Sequence, residues 1–259
     1  MAQTSTDRAA TTDFNAYAVS TDKVATFDGQ PRRDTPLTRT IEAAALLPDQ
    51  SVSKSSFTVP ASSTFEACAS AFARGTLIST VMGPIAVEDL IPGDLVETHR
   101  GPQPVVWIGS TFYLPDFGGT TTSLSCLLRM PALGMDQSDL LLGPAARLVI
   151  RQDRFSDLLN CDAVLAPAKD YVDGDRVLRI TPPGPVQLYH FALQRHGIVR
   201  ANGREVESYH PGRVSASDIG PSVRAMLQSM FPHLDTLESF GDLAFPRTTR
   251  EVIETLRVA

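Results

Sequence analysis

The chain has 259 residues, 42% of them hydrophobic and 20% charged, with a net charge of −6. That size and balance suffice to bury one large β domain or two small ones. The acidic excess, without any clustered stripe of Lys and Arg, argues against nucleic acid as a partner.

The opening "MAQTSTDRAATTDF" has no apolar h-region, and no run of about 18 apolar residues occurs anywhere, so neither a secretory signal nor a membrane span is expected. A cytoplasmic location is the default reading, with non-classical secretion left open. Residues 1–66 are rich in Thr, Ser, Ala and Asp, and their apolar patches are brief. They read as a flexible N-terminal arm that docks only locally.

Residues 67–212 change texture to short β-type runs cut by Gly and Pro: "TLISTV", "PIAVEDL", "PVVWIGSTFYL", "RVLRI" and "VQLYHFALQ". An all-β domain follows. Pro92 and Gly93 satisfy a type II turn, with Asp94 expected to cap local backbone N–H groups. Trp107 reads as a core or rim anchor whose indole N–H needs one partner. Asp173 and Asp175 fall well short of a calcium loop and read as a hairpin turn. "DRFSDLLN" is a candidate helix. Residues 213–259 turn helical: Pro221 suits a first helical turn, and Thr248 with Glu251 forms a capping box.

Three cysteines at wide spacing offer neither a disulfide framework nor a metal knuckle. Cys126 and Cys161 read as core fillers. His190, His196 and His210 match no zinc spacing, and hydrogen bonding is the preferred reading. His190 and His196 share a face only if the strand runs through "LQR" unbroken. His99 reads as exposed in a turn. No cofactor or metal is expected, and a protein partner remains open.

The stretch "GTLIST…GPIAVEDLIPGDLVETHRGPQPVVWIG", together with "DLLLGPAARLVI" and "YHFALQRHGIVRANGREVESYHPG", resembles the bacterial Hedgehog/intein (Hint) domain. The resemblance covers roughly residues 71–212 and implies a flattened all-β horseshoe. It also implies self-directed chemistry, in which a first-position Cys attacks the preceding carbonyl and a histidine in a Ser-Pro-x-His stretch protonates the departing amide nitrogen.

Carried over residue by residue, the nucleophile position falls on Ala71, the acid position on Ala146, and the preceding Ser on Gly143. Thr76 matches the family's Gly-Thr, and His190 and His196 match histidines usual in the closing strands. An alanine has no atom with which to attack or to donate a proton. The sequence therefore points to a Hint domain that has lost autoprocessing and acts as a binding or scaffold module. The alternative is slow self-cleavage through Cys68 or another nucleophile. Cys68 precedes the expected position by three residues, about 10 Å along an extended strand, too far to reach the same carbonyl without a bulge.

Overall fold

The computed structural model describes residues 37–114, 126–133, 138–212 and 219–258. The first half of the expected arm lies outside them. The second half does not behave as an arm: β1 (Thr38–Leu46) and β2 (Val52–Pro60) pair in register as an antiparallel hairpin. The apolar patches of this segment are short because the hairpin buries only one face, with Ile41, Ala45 and Val59 inward. A short helix α1 (Ser63–Glu66) follows, tied to the hairpin by a buried ion pair in which Arg39 Nε donates to Glu66 Oε1 at 2.8 Å.

The remaining strands are β3 (Phe72–Ala73), β4 (Leu77–Thr80), β5 (Gly83–Ala86), β6 (Leu95–Val96), β7 (Gln103–Tyr113), β8 (Leu127–Met130), β9 (Leu140–Leu142) and β10 (Arg147–Arg151). They continue with β11 (Ala163–Pro167), β12 (Leu178–Ile180), β13 (Val186–Leu193), β14 (Ile198–Ala201) and β15 (Arg204–Glu207). All join one open sheet with the path β11-β10-β15-β14-β4-β6-β7-β13-β3-β9-β8-β12, while β1 adds to β7, β2 to β1 and β5 to β4. Every paired register is antiparallel, which short hairpin connections permit and parallel crossovers do not. The protein is all-β with small helices, as its texture predicts.

β7 is the long spine. Its eleven residues, QPVVWIGSTFY, are mostly β-branched or aromatic and suit an extended, half-buried surface. It pairs with β13 along almost its whole length, with a register shift between Ala192 and Leu193. Its other edge takes β6 at Gln103 and Pro104, then β1 from Trp107 to Ser110.

The predicted turn forms: Asp94 N–H donates to Ile91 O, Gly93 takes φ 106°, and the Asp94 carboxylate accepts the Ile91 N–H at 2.9 Å. Asp173 Oδ1 accepts three successive backbone N–H groups, from Asp175, Arg176 and Val177, which organises the turn.

Helix α2 (Arg154–Leu159) occupies the "DRFSDLLN" stretch, and α3 (Pro221–Ser229) begins with its proline. α4 (Arg250–Val258) starts differently from the expected capping box. Thr249, not Thr248, accepts the Val252 N–H; Thr248 donates its own N–H to Leu165 O beside the Leu165–Arg247 bridge. Among the described residues no helix is long and apolar enough to cross a membrane.

Two cores matter for the site. One holds Ala71, Ala146, Phe72, Phe191 and Leu142. The other surrounds the fully buried Trp107 and draws together the hairpin (Ile41, Val59), Cys68, Tyr209 and the segment after α3 (Met230, Phe231). Trp107 Nε1 donates to Met230 O at 2.7 Å, so one buried indole joins β7 to the C-terminal segment. Trp107→Phe should remove that donor and leave a buried carbonyl unpaired, costing about 1–3 kcal/mol in addition to the lost contact area. A lowered urea midpoint would record the loss, and an unchanged midpoint would show the bond to be dispensable.

Candidate functional site

The Ser70–Ala71 peptide bond leaves α1 and enters β3. Ala71 N–H donates to Tyr189 O at 3.0 Å, as a sheet amide would. The segment that follows β9 crosses directly over this bond: Gly143 N–H donates to Ala71 O at 2.9 Å, and Ala145 N–H donates to Ser70 O at 3.1 Å. A methyl group built on Gly143 would penetrate the Ser70 carbonyl and sit 2.8 Å from its carbon. Only a glycine permits that approach.

Ala71 is 0% exposed, Ala146 is 1% exposed, and both belong to one apolar cluster. Gly143 thus packs on the Ser70–Ala71 bond, and Ala146, three residues on, lines a pocket together with Ser70. Neither alanine brings a group able to attack, donate or accept a proton there. Ser70 Oγ is buried and has no hydrogen-bond partner among the described residues.

Cys68 lies one turn of chain upstream, in the Trp107 core. Its Sγ is 3.2 Å from the Tyr209 hydroxyl and 3.5 Å from Thr64 O. Burial pushes the thiol up to about 12, so it stays protonated at neutral pH, the opposite of an activated nucleophile. His190 stacks edge-on against Tyr209 and Phe72, and its Nδ1 lies 2.8 Å from Ala67 O. Burial holds His190 down to about 4, a neutral ring anchoring the exit of α1.

His196 is not on the His190 face, because β13 ends at Leu193 and the chain turns before β14. Its Nδ1 accepts the Ala244 N–H at 2.8 Å, so Nε2 carries the proton and points at Glu207 Oε1, 3.1 Å away. Glu207 is the hub of a buried network that also receives Arg247 Nε at 2.8 Å and faces Arg147 at 3.7 Å. Burial would raise its carboxyl, but His196, Arg247 and Arg147 outweigh that and hold it below the usual range. His210 accepts the Gly212 N–H at Nδ1, and its Nε2 lies 3.0 Å from Gly241 O.

Thr76 donates its hydroxyl to Ala73 O at 2.7 Å and closes the turn between β3 and β4. His99 is half-buried rather than exposed. Its Nδ1 accepts the Ile198 N–H, and its ring packs on Phe245. Cys126 and Cys161 are likewise only half-buried, not core fillers, because each lies beside a strand or helix end rather than inside one. Among the described residues no cluster of three His, Cys, Asp or Glu side chains is placed to hold a metal ion.

A pocket of about 400 Å³ opens beside the Ser70–Ala71 bond and is bordered by Ala146. It also reaches Ser70, Arg147, Lys169, Arg247 and Tyr209. Sequence reasoning identified none of these five as site residues. They come from five separate parts of the chain, and no local spacing announces Lys169, Tyr209 or Arg247.

The Hint domain family model matches residues 70–213. The chain belongs to the Hint domain family. The matched span includes the 70–71 bond, the crossing segment and the closing strands. Among solved structures, the Hint region is similar to a bacterial intein-like domain from Clostridium thermocellum, at 16% identity and a TM-score of 0.37, covering 54% of this chain and 99% of that one. It is similar at 14% identity to a splice-inactive variant of the AceL NrdHF class 3 split intein, with a TM-score of 0.37 and coverage of 54% and 97%. The gp41-1 intein is similar at 12% identity, with a TM-score of 0.33 and coverage of 54% and 98%. Comparison with curated proteins returned no match.

Two outcomes follow from this geometry. Gly143→Ala should destabilise the fold by roughly 1–3 kcal/mol, since the backbone must part to admit the methyl group. Chemical denaturation measures it, and a neutral variant would show that the crossing segment yields easily.

The second concerns pH. His190 has a folded value of about 4 against an ordinary 6.5, so the unfolded chain binds more protons between those values. Stability should be full above about 6.5 and fall as pH drops toward about 4, by on the order of 3 kcal/mol from this residue. His210, also held near 4 by burial, adds in the same direction. Urea midpoints measured from neutral to mildly acidic pH should decline, and His190→Gln should flatten the slope. Equal slopes would refute the assignment.

Proposed function

We propose that this Hint-domain protein does not process itself and serves as a binding or scaffold module. The observation that carries the reading is the pair of buried alanines: Ala71 and Ala146 border the peptide bond that would be cut, and neither can take part in an acyl shift. Losing the nucleophile of a covalent site lowers rates by about 10⁶-fold in a well-studied hydrolase, because that route disappears rather than weakens.

The surroundings support the same reading. The amide N–H of the 70–71 bond is held by Tyr189 O of β13, and its carbonyl by the Ala145 N–H in the turn between β9 and β10. The nearest thiol, Cys68, is protonated and bonded to Tyr209. What survives of the cleft is a preformed pocket, the part of a reaction site that a binding protein can keep.

The 28.0 kDa chain should remain intact when incubated with thiol or hydroxylamine, both of which capture thioesters. Intact mass spectrometry reads the outcome. Fragmentation near residue 68 that Cys68→Ser abolishes would replace this reading with self-cleavage. The double variant Ala71→Cys with Ala146→His then asks a separate question: release of an N-terminal fragment ending at Ser70 would mean that only the reacting groups were lost.

A further inference from the structure

The pocket beside the 70–71 bond has an uneven distribution of charge. Arg147, on β10, has only the 3.7 Å ion pair to Glu207 and no side-chain hydrogen bond among the described residues. Lys169, in the turn after β11, is exposed and likewise has no side-chain partner among them. Arg247 adds a third cation but is engaged by Glu207 and by His210 O. The one carboxylate on the wall, Glu66, pairs with Arg39 through Oε1, while its Oε2 is buried without a hydrogen-bond partner among the described residues.

Two sets of donors are therefore left over, the Arg147 guanidinium and the Lys169 ammonium. The orphaned Ser70 hydroxyl, on the same wall and fully buried, is an independent sign of an unfilled polar position. Pro144, Ala146, Ile219 and Leu227 give the pocket an apolar stretch, beside the polar Ser63, Thr64, Tyr209 and His210. At about 400 Å³ the space lies at the small-molecule end of binding pockets.

We propose that this pocket binds a small organic anion, a carboxylate on an apolar body, with the carboxylate held by Arg147 and Lys169 and the body seated against Ala146 and Leu227. Arg147 supplies a planar fork suited to a carboxylate, and Lys169 a point charge at the rim. The alanine at 146 leaves room on the pocket wall for such a body. The proposal rests on the reading of the cleft as a binding site rather than a reaction site.

Isothermal titration of the full chain with benzoate, and in a separate arm with inorganic phosphate, tests it. Benzoate should bind at a single site and more tightly than phosphate. Lys169→Gln, an exposed change that leaves the fold untouched, and Arg147→Gln should each weaken benzoate by about tenfold, the loss of one charge-assisted hydrogen bond. No benzoate binding at millimolar concentration would overturn the proposal. So would affinity unchanged in Lys169→Gln, or phosphate binding as tightly as benzoate. Intact mass recorded on the same samples separates the two readings: a fragment would sink the non-processing reading, whereas an intact chain that ignores benzoate sinks only this proposal.

Discussion

A β-strand inside a sheet presents hydrogen-bonding groups along both edges, and a buried one must have both edges satisfied. β7 is such a strand. β13 covers one edge, while the other is divided between β6 near its start and β1 across Trp107 to Ser110. Without β1, the stretch carrying the fully buried Trp107 would end in unpaired amides beside the core. The N-terminal hairpin therefore completes the Hint sheet, and Arg39 to Glu66 fastens it to the helix that leads into the site.

That arrangement determines what the cleft can be. The chain enters the 70–71 bond from α1, whose exit is held by His190 through Ala67 O and by Cys68 through Tyr209. It leaves along β3, clamped by β13 on one side and β9 on the other. The crossing segment then lies so close that position 143 has no room for a side chain. The Ser70 carbonyl accepts the Ala145 N–H, and the crossing segment lies against it.

Titratable groups remain plentiful around the bond, but their environments assign them structural work. Burial neutralises His190 and His210 and keeps Cys68 protonated. Glu207 stays charged because Arg247, Arg147 and His196 surround it. A buried carboxylate held by Arg247 at 2.8 Å, with His196 at 3.1 Å and Arg147 farther off at 3.7 Å, ties β15 to the C-terminal segment.

The sequence alone determined much of the local structure. Pro92 and Gly93 dictate their turn because one presets φ and the other accepts a positive φ, and the alternating β runs dictate strands because each reports its own buried face. It also singled out position 143, which the fold lays against the 70–71 bond. Only the tertiary structure decided the rest. The hairpin at 38–60 looked like an arm because its stability comes from the open edge of β7, a partner more than fifty residues away. The helix cap moved from Thr248 to Thr249 because Leu165 claimed the former. Lys169 and Arg247 carried no signal because a pocket is defined by which distant strands pair, and period and propensity describe a strand's faces without naming its neighbours.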